Sequence, residues 1–243
     1  MNSYKYIFIY IVFLLFGAYE LLAQNNEKTT QFWTDYNISG KINDRLTWGA
    51  GTGFRTISPH QWNRIYIKPS VTYDWPRLIL KKMKYKEKLL AGAGVYYTDN
   101  KRASDQLEIR PYQGYSLSAP NWDHLVIQHT FKLEERFEIN VNDWINTFGL
   151  RLRYKGQITF RFKGDVWKKG NGFYIPAGIE LYWNLIGTKQ FNDKGNFDIG
   201  IGKEFNPKWK ALITFGYNYS RNGVDESFDA SGMRWRFRLY HRL

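Results

Sequence analysis

The chain is 243 residues long, carries a formal net charge of +13, and is rich in aromatic residues, which make up 19% of it. It contains no cysteine, which excludes a disulfide framework and any thiolate metal site. Its mean hydropathy of −0.53 argues against a bundle of transmembrane helices. That value is compatible with a transmembrane β-barrel, whose strands turn half of their residues toward a polar interior.

The first 23 residues have the three-part layout of a secretory signal peptide. Lys5 follows a short polar start, an apolar run covers residues 6–16, and the segment ends at Ala23 before Gln24. A single membrane anchor is the alternative, but the apolar run is too short to span a bilayer comfortably. We therefore expect cleavage after Ala23 and a mature chain, residues 24–243, that forms one domain.

The next part of the chain alternates apolar and polar residues with a period of two, which predicts strands and not helices. In one of these segments, for example, Ile65 and Ile67 lie on the face opposite to Lys68. The first four predicted strands cover residues 32–42, 46–56, 64–74 and 88–98.

Residues 106–137 are predicted to form two long strands joined by a turn at residues 118–123. On both strands apolar residues such as Ile109 alternate with polar residues that include charges of both signs. Because the two strands are hairpin neighbours, we expect Glu108 and Arg136 to lie within cross-strand reach of each other. The central question is whether the apolar faces point into a core or outward into lipid.

Five further strands are predicted, which brings the number to eleven, and neither a helix nor a domain boundary is evident. They cover residues 146–162, 173–185, 196–205, 209–220 and 232–243. A bacterial barrel with both chain ends in the periplasm needs an even number of strands. One strand is therefore missed or false, and the weakest points are residues 24–30 and 155–157. The predicted fold is all-β, a closed antiparallel transmembrane β-barrel of 10–12 strands, with twelve preferred.

Two features favour lipid on the apolar side of this barrel. The predicted strands are about ten residues long or longer, which is enough to cross a bilayer at a tilt. Aromatic residues also cluster near strand ends, as in the interfacial girdles of outer-membrane barrels. They are Trp48, Trp75, Trp183, Trp209, Trp235, Tyr97, Tyr217 and Tyr219. The alternative, a lipocalin-like soluble barrel or a secreted β-sandwich, fits this aromatic load and strand length poorly.

The polar faces carry charges at i, i+2 spacing on successive strands, and inside a lumen such columns can pair across strands. The candidate lumen charge network consists of Glu108, Arg110, Lys132, Glu134, Arg136, Arg151, Arg153, Glu180, Arg234, Arg236 and Arg238. Basic residues outnumber acids on these faces, which is typical of a small anion-preferring channel or porin. The hypothesis to which we give slight preference is a structural protein whose narrow, salt-bridged lumen passes nothing, and the anion-preferring channel is the alternative. The sequence leaves both open, and it does not identify a solute.

Catalytic and metal-binding patterns are not found. An outer-membrane lipid-modifying enzyme, the less favoured alternative, would need a serine, a histidine and an acid together. The chain has four histidines, His60, His124, His129 and His241, but no G-x-S-x-G motif and no metal-ligand spacing. We therefore predict no enzyme, no catalytic residue, no metal site and no cofactor. Nucleic-acid binding is also disfavoured, because exported chains rarely meet nucleic acid and no recognition motif is present.

Four short motifs, in this order, resemble a family of outer-membrane β-barrels, domain of unknown function 2490. They are LEIRPYQG at residues 107–114, KLEER at 132–136, GLRLRY at 149–154 and ELYWN at 180–184. The resemblance covers most of the mature chain. It implies the barrel fold and a place in the bacterial outer membrane, and it implies no activity.

An outer-membrane location predicts the partners of the chain. These are the outer-membrane lipids, with lipopolysaccharide phosphates as candidates for Lys101, Arg102 and Lys189 in loops, and the barrel-assembly machinery during biogenesis.

Overall fold

The computed structural model describes residues 29–59, 61–75, 85–101, 103–122, 124–162, 172–187, 194–220 and 229–243. These residues form one closed β-barrel. The predicted signal peptide, residues 1–23, lies outside them. The strands are β1 Thr29–Lys41, β2 Leu46–Ser58, β3 Trp62–Asp74, β4 Lys86–Asn100, β5 Gln106–Asn121, β6 Leu125–Asn140, β7 Asn146–Arg161, β8 Gly172–Ile186, β9 Lys194–Glu204, β10 Trp209–Ser220 and β11 Asp229–Arg242.

The barrel has eleven strands within the described residues, so the preference for twelve was wrong. Each strand pairs antiparallel with the next, but β1 and β11 pair in parallel, from Thr29 opposite Gly232 to Ser39 opposite Arg242. A parallel ladder satisfies the edge groups of both strands as an antiparallel ladder does. Closure therefore does not require an even number, and the expectation of an entirely antiparallel sheet fails at this seam.

Residues 24–30 and 155–157, the two segments at which a strand could have been missed or wrongly predicted, hide no such error in their described parts. Thr29 already begins β1, and residues 155–157 continue β7 without a break. The hairpin between β5 and β6 is longer than expected, because β6 continues to Asn140. Glu138, which the sequence placed in a loop, is therefore a strand residue.

Two tight turns at the same end of the barrel use the same local chemistry. The side-chain oxygen of Asn43 accepts hydrogen bonds from the backbone amides of Arg45 and Leu46, at 2.9 and 2.8 Å. Between β9 and β10, the Asn206 oxygen accepts in the same way from Lys208 and Trp209, at 2.9 Å each. A short polar side chain that satisfies its own turn in this way favours the chain reversal.

The apolar face of the sheet points outward and the charged face points inward. Ile65 and Ile67 in β3 are each 55% exposed, and many large hydrophobic side chains on the other strands are also exposed. Glu134 and Arg234, in contrast, are each only 2% exposed. This is the reverse of a protein with an apolar core, in which charged residues are almost never fully buried unless paired. No helix in the described part of the chain is long and apolar enough to cross a membrane.

Candidate functional site

The barrel encloses a cavity of about 1860 Å³. Its lining includes Thr29, where β1 begins, and Lys41, where β1 ends, so it extends along the whole height of the wall. Nineteen of the lining residues are lysine or arginine, whereas five are aspartate or glutamate. Among the described residues the lumen surface is therefore strongly cationic.

One wall of the lumen carries a connected set of ion pairs centred on Glu134 in β6. Its carboxylate lies 2.6 Å from the Arg151 guanidinium and 3.0 Å from that of Arg153, both in β7. Arg110 in β5 approaches the same carboxylate at 3.8 Å. Arg151 and Arg153 reach Glu134 because the register sets Glu134 opposite Arg151 on the neighbouring strand.

Two further carboxylates extend this set in both directions. Glu108 lies 2.7 Å from Arg110 on its own strand and 2.7 Å from Arg136 across the hairpin, which confirms the expected cross-strand contact. At the other end, Glu180 in β8 forms an ion pair with Arg153. The three carboxylates and four arginines, Glu108, Arg110, Glu134, Arg136, Arg151, Arg153 and Glu180, are called the carboxylate–arginine network below.

The network is shielded from water and rich in charge-assisted hydrogen bonds, which are roughly twice as strong as neutral ones. The Arg151 side chain donates to Glu134 from both Nε and Nη2, at 3.1 and 2.6 Å. The Tyr182 hydroxyl donates to Glu180 at 2.5 Å. Loss of one member would leave a buried charge without its partner, which is the costly way to disturb such a set.

The opposite wall holds arginines around an aromatic ring. The guanidinium of Arg55 lies 3.9 Å from the centre of a Trp33 ring, and those of Arg234 and Arg236 lie 4.5 and 5.2 Å from it. The face of an indole attracts cations through its quadrupole. Trp33 in β1 therefore holds arginines from both of its neighbours, β2 and β11.

Few carboxylates balance this second group. Asp35 forms an ion pair with Arg236 and accepts a hydrogen bond from Tyr66, and Arg238 lies 3.7 Å from it. Arg234 pairs with Asp198 at 2.6 Å. The buried Nε atoms of Arg55, Arg234 and Arg238 have no hydrogen-bond partner among the described residues. This wall therefore retains uncompensated positive charge.

The sequence-predicted site residues thus fall into two groups, with one residue apart. Seven form the carboxylate–arginine network, and Arg234, Arg236 and Arg238 belong to the group around Trp33. Lys132 lies beside the network without an ion pair to any described carboxylate, and its Nζ lies 4.2 Å from the Tyr112 ring centre. The role of Trp33 was not predicted, because cation–π contacts between strands leave no motif in the sequence. Glu138, paired with Arg136, was missed because it was assigned to a loop.

The described histidines do not form a catalytic arrangement with serine. His129 Nδ1 lies 2.9 Å from the Tyr154 hydroxyl, and His241 Nδ1 lies 2.9 Å from the Tyr36 hydroxyl. His60 lies outside the described residues. Within the described part of the chain, no group of three or more histidine, aspartate or glutamate residues could hold a metal ion.

The fold and its lumen define the class: a closed β-barrel with an apolar exterior and a cationic interior. Residues 30–229 match the family described as "Protein of unknown function (DUF2490)", and the chain belongs to that family. No curated protein and no solved structure matches the chain.

Proposed function

We propose that the protein is an outer-membrane β-barrel whose lumen admits small anions in preference to cations. The observation that carries this proposal is the distribution of side chains over the two faces of the sheet. Hydrophobic side chains point outward, and nineteen basic residues against five acidic residues line the cavity. An exposed apolar surface of this extent requires an apolar environment, because soluble monomers rarely expose a large contiguous apolar patch. Basic residues around a pore favour anions.

Outward aromatic residues support a lipid environment. At the barrel end where β10 begins, Trp209 stacks on His241 with ring centres 4.0 Å apart. Trp75, next to the end of β3 at the same barrel end, is 42% exposed, whereas Trp235 lies in the middle of β11 and not near a strand end as predicted. Amphipathic rings at the ends of an apolar band are what interfacial girdles consist of. The proposed partners are accordingly outer-membrane lipids and, during biogenesis, the barrel-assembly machinery.

Lipopolysaccharide contact remains part of the proposal at one position. Lys101, in the loop between β4 and β5, is exposed, and it could meet a lipid phosphate. Arg102 and Lys189, the other two candidates, lie outside the described residues.

A purely structural barrel is the second candidate, and the carboxylate–arginine network favours it. Long side chains from different walls also share this lumen, as Lys68 in β3 and Arg153 in β7 do. On this second hypothesis, the long inward side chains narrow the lumen so far that solutes do not pass. We do not propose an enzyme, because His129 and His241 contact tyrosine hydroxyls and His124 packs against Phe160.

Location and conductance test the two parts of the proposal separately. Cell fractionation should recover the protein in the outer membrane, and its mobility in gels should change on heating, as for folded barrels. A soluble periplasmic protein would overturn the membrane assignment. Reconstituted into planar lipid bilayers, the protein should give single-channel currents carried mainly by chloride. A membrane-inserted barrel without current would favour the structural candidate.

A further inference from the structure

A side chamber of the lumen, about 420 Å³ in volume, borders the carboxylate–arginine network. It lies one inward-facing step along β6 and β7 from Glu134 and Arg153, toward the barrel end at which β1 stops. Lys132 and Lys155 line it, together with Arg153 and Glu180 of the network and with polar side chains that include Gln128, Ser116 and Thr130.

The two lysines face the same small space. The register sets Lys132 opposite Arg153 and Thr130 opposite Lys155, so the two lysines are diagonal neighbours on the inward face of β6 and β7. Diagonal neighbours on adjacent strands are about 7–8 Å apart at Cα, and lysine is long enough for both ammonium groups to meet one ligand. A lysine ammonium binds a phosphate-type ligand as a compact point charge.

The carboxylates nearest the chamber are already engaged. Glu134 is held by Arg151 and Arg153, and Glu180 is held by Arg153 and by hydrogen bonds from Tyr182. No described carboxylate lies within ion-pair distance of Lys132 or Lys155, although Glu180 faces Lys155 across the ladder. Neither lysine therefore has an ion pair of its own, although Glu180 and Glu134 attract them at longer range.

Other cations strengthen the positive potential around the chamber. Arg238 and Arg236, on the opposite wall, repel Lys155, and Arg153 repels Lys132, to which it stands directly opposite. Glu180 attracts both lysines and Glu134 attracts Lys132, so the repulsion is only partly offset. Like charges gathered in a confined space raise the local concentration of counter-ions. The chamber is thus a place where a bound anion would relieve repulsion.

Neutral donors complete the chamber. Gln128 donates to Ser116 Oγ at 3.0 Å, and the hydroxyls of Ser116 and Thr130 lie 3.2 Å apart. Only one of the two hydroxyl protons can lie between these oxygens, which leaves the other to be donated to a ligand. The donor set therefore matches the several oxygens of an oxyanion better than a single halide.

We propose that Lys132 and Lys155 bind a small oxyanion with two negative charges, of the sulfate or hydrogen phosphate type, in this chamber. Two ammonium groups without ion pairs match two negative charges, and the volume admits one such ion with water. The ligand is a free solute and not a lipid headgroup, because the chamber opens to the lumen and not to the outer face. The inference rests on the proposed function only in that the lumen must admit small anions.

Calorimetric titration of the detergent-folded barrel with sodium sulfate, at constant ionic strength set with sodium chloride, tests the site. Saturable binding is expected for the native protein and for sodium phosphate at neutral pH. The Lys132→Gln/Lys155→Gln variant should lose at least about tenfold in affinity, because both charges that face the ion are gone. The matched control is Lys41→Gln/Lys210→Gln, which removes two lysines that line the same lumen elsewhere and should bind sulfate as the native protein does.

Each outcome has a clear meaning. No saturable sulfate binding, or equal weakening in the test and control variants, would overturn the site as a specific one. In either case anion-selective currents could still be measured, so the proposed function would stand. Binding that depends on Lys132 and Lys155 in a barrel without current would support the site and overturn conduction instead.

Discussion

The carboxylate–arginine network and the neighbouring lysines Lys132 and Lys155 differ in whether their charges form ion pairs. In the carboxylate–arginine network, Glu134 is buried and held by arginines from neighbouring strands. Lys132, two residues from Glu134 on β6, has no ion pair with any described carboxylate. Lys155, two residues from Arg153 on β7, has none either. Two residues along β6 and β7 thus separate charges that are held in ion pairs from charges that are not.

The difference indicates a division of roles. Paired charges in a water-poor layer fix the positions of strands and narrow the lumen, since their partners would be left buried and alone if they separated. Cations without an ion pair hold neighbouring strands together less strongly, and they repel one another and attract anions. The paired charges can therefore stabilise the barrel at one height, and the lysines without ion pairs can serve ligand binding at the next.

Breaking the network at its centre should have the largest effect. Glu134→Gln removes the charge that Arg151 and Arg153 share and leaves both guanidinium groups underpaired. We expect a loss of about 3–5 kcal/mol in the free energy of unfolding, measured by urea titration in lipid vesicles. Glu204→Gln is the control, because its partner Lys210 is partly exposed at the barrel end, and it should cost less than about 1 kcal/mol. Equal effects of the two changes would show that water screens the network.

A charge placed on the outer face should have the next largest effect. Leu152 points outward between the network residues Arg151 and Arg153, and Leu152→Arg near mid-membrane should cost about 2–4 kcal/mol in the same assay. The inward Gln157→Arg variant adds the same side chain to the polar lumen and should be far better tolerated. Equal tolerance of the two arginines would mean that the outer face does not contact lipid.

Removal of the unpaired lysines should leave stability nearly unchanged or raise it slightly. Lys132→Gln/Lys155→Gln breaks no ion pair with described carboxylates and relieves repulsion from Arg153 and Arg236. We expect the free energy of unfolding to stay within about 0.5 kcal/mol of the native value or to increase. A loss comparable to that of Glu134→Gln would remove the distinction between the network and the lysines without ion pairs.

The smallest effect is expected at Asp105, in the loop between β4 and β5. A hydrogen bond from the Tyr97 hydroxyl at 2.6 Å, and a second from the Asn100 amide at 3.0 Å, lower the pKa of this carboxyl below its usual value of 3.8. A lowered folded-state pKa gives stability that is present above the unfolded value and is lost as the pH falls through the folded one. The native protein should therefore lose slightly more stability than Asp105→Asn when the pH is lowered from 5 to below 3.8. Parallel pH profiles of the two proteins would contradict this.

The sequence predicted well which residues share a face, because a period of two leaves no ambiguity on that point. The period does not show which face points inward, and the prediction of an outward apolar face depended on strand length and aromatic residues. All seven arginines of the predicted lumen network, from Arg110 to Arg238, line the cavity. The parallel seam of β1 and β11 could not be predicted, since the pairing partner of a terminal strand depends on barrel closure and not on local pattern. The separation of Lys132 from the network was hidden for a similar reason: which arginine reaches which carboxylate depends on register and side-chain length across three strands.

The sign of the reversal potential in a planar bilayer tests the proposed function most directly, because it requires both insertion and charge selection. With potassium chloride more concentrated on one side, an anion-preferring lumen lets chloride move to the dilute side. We predict that the dilute side becomes negative relative to the concentrated side. A potential of the opposite sign would contradict the anion preference, and an inserted barrel without measurable current would contradict conduction altogether.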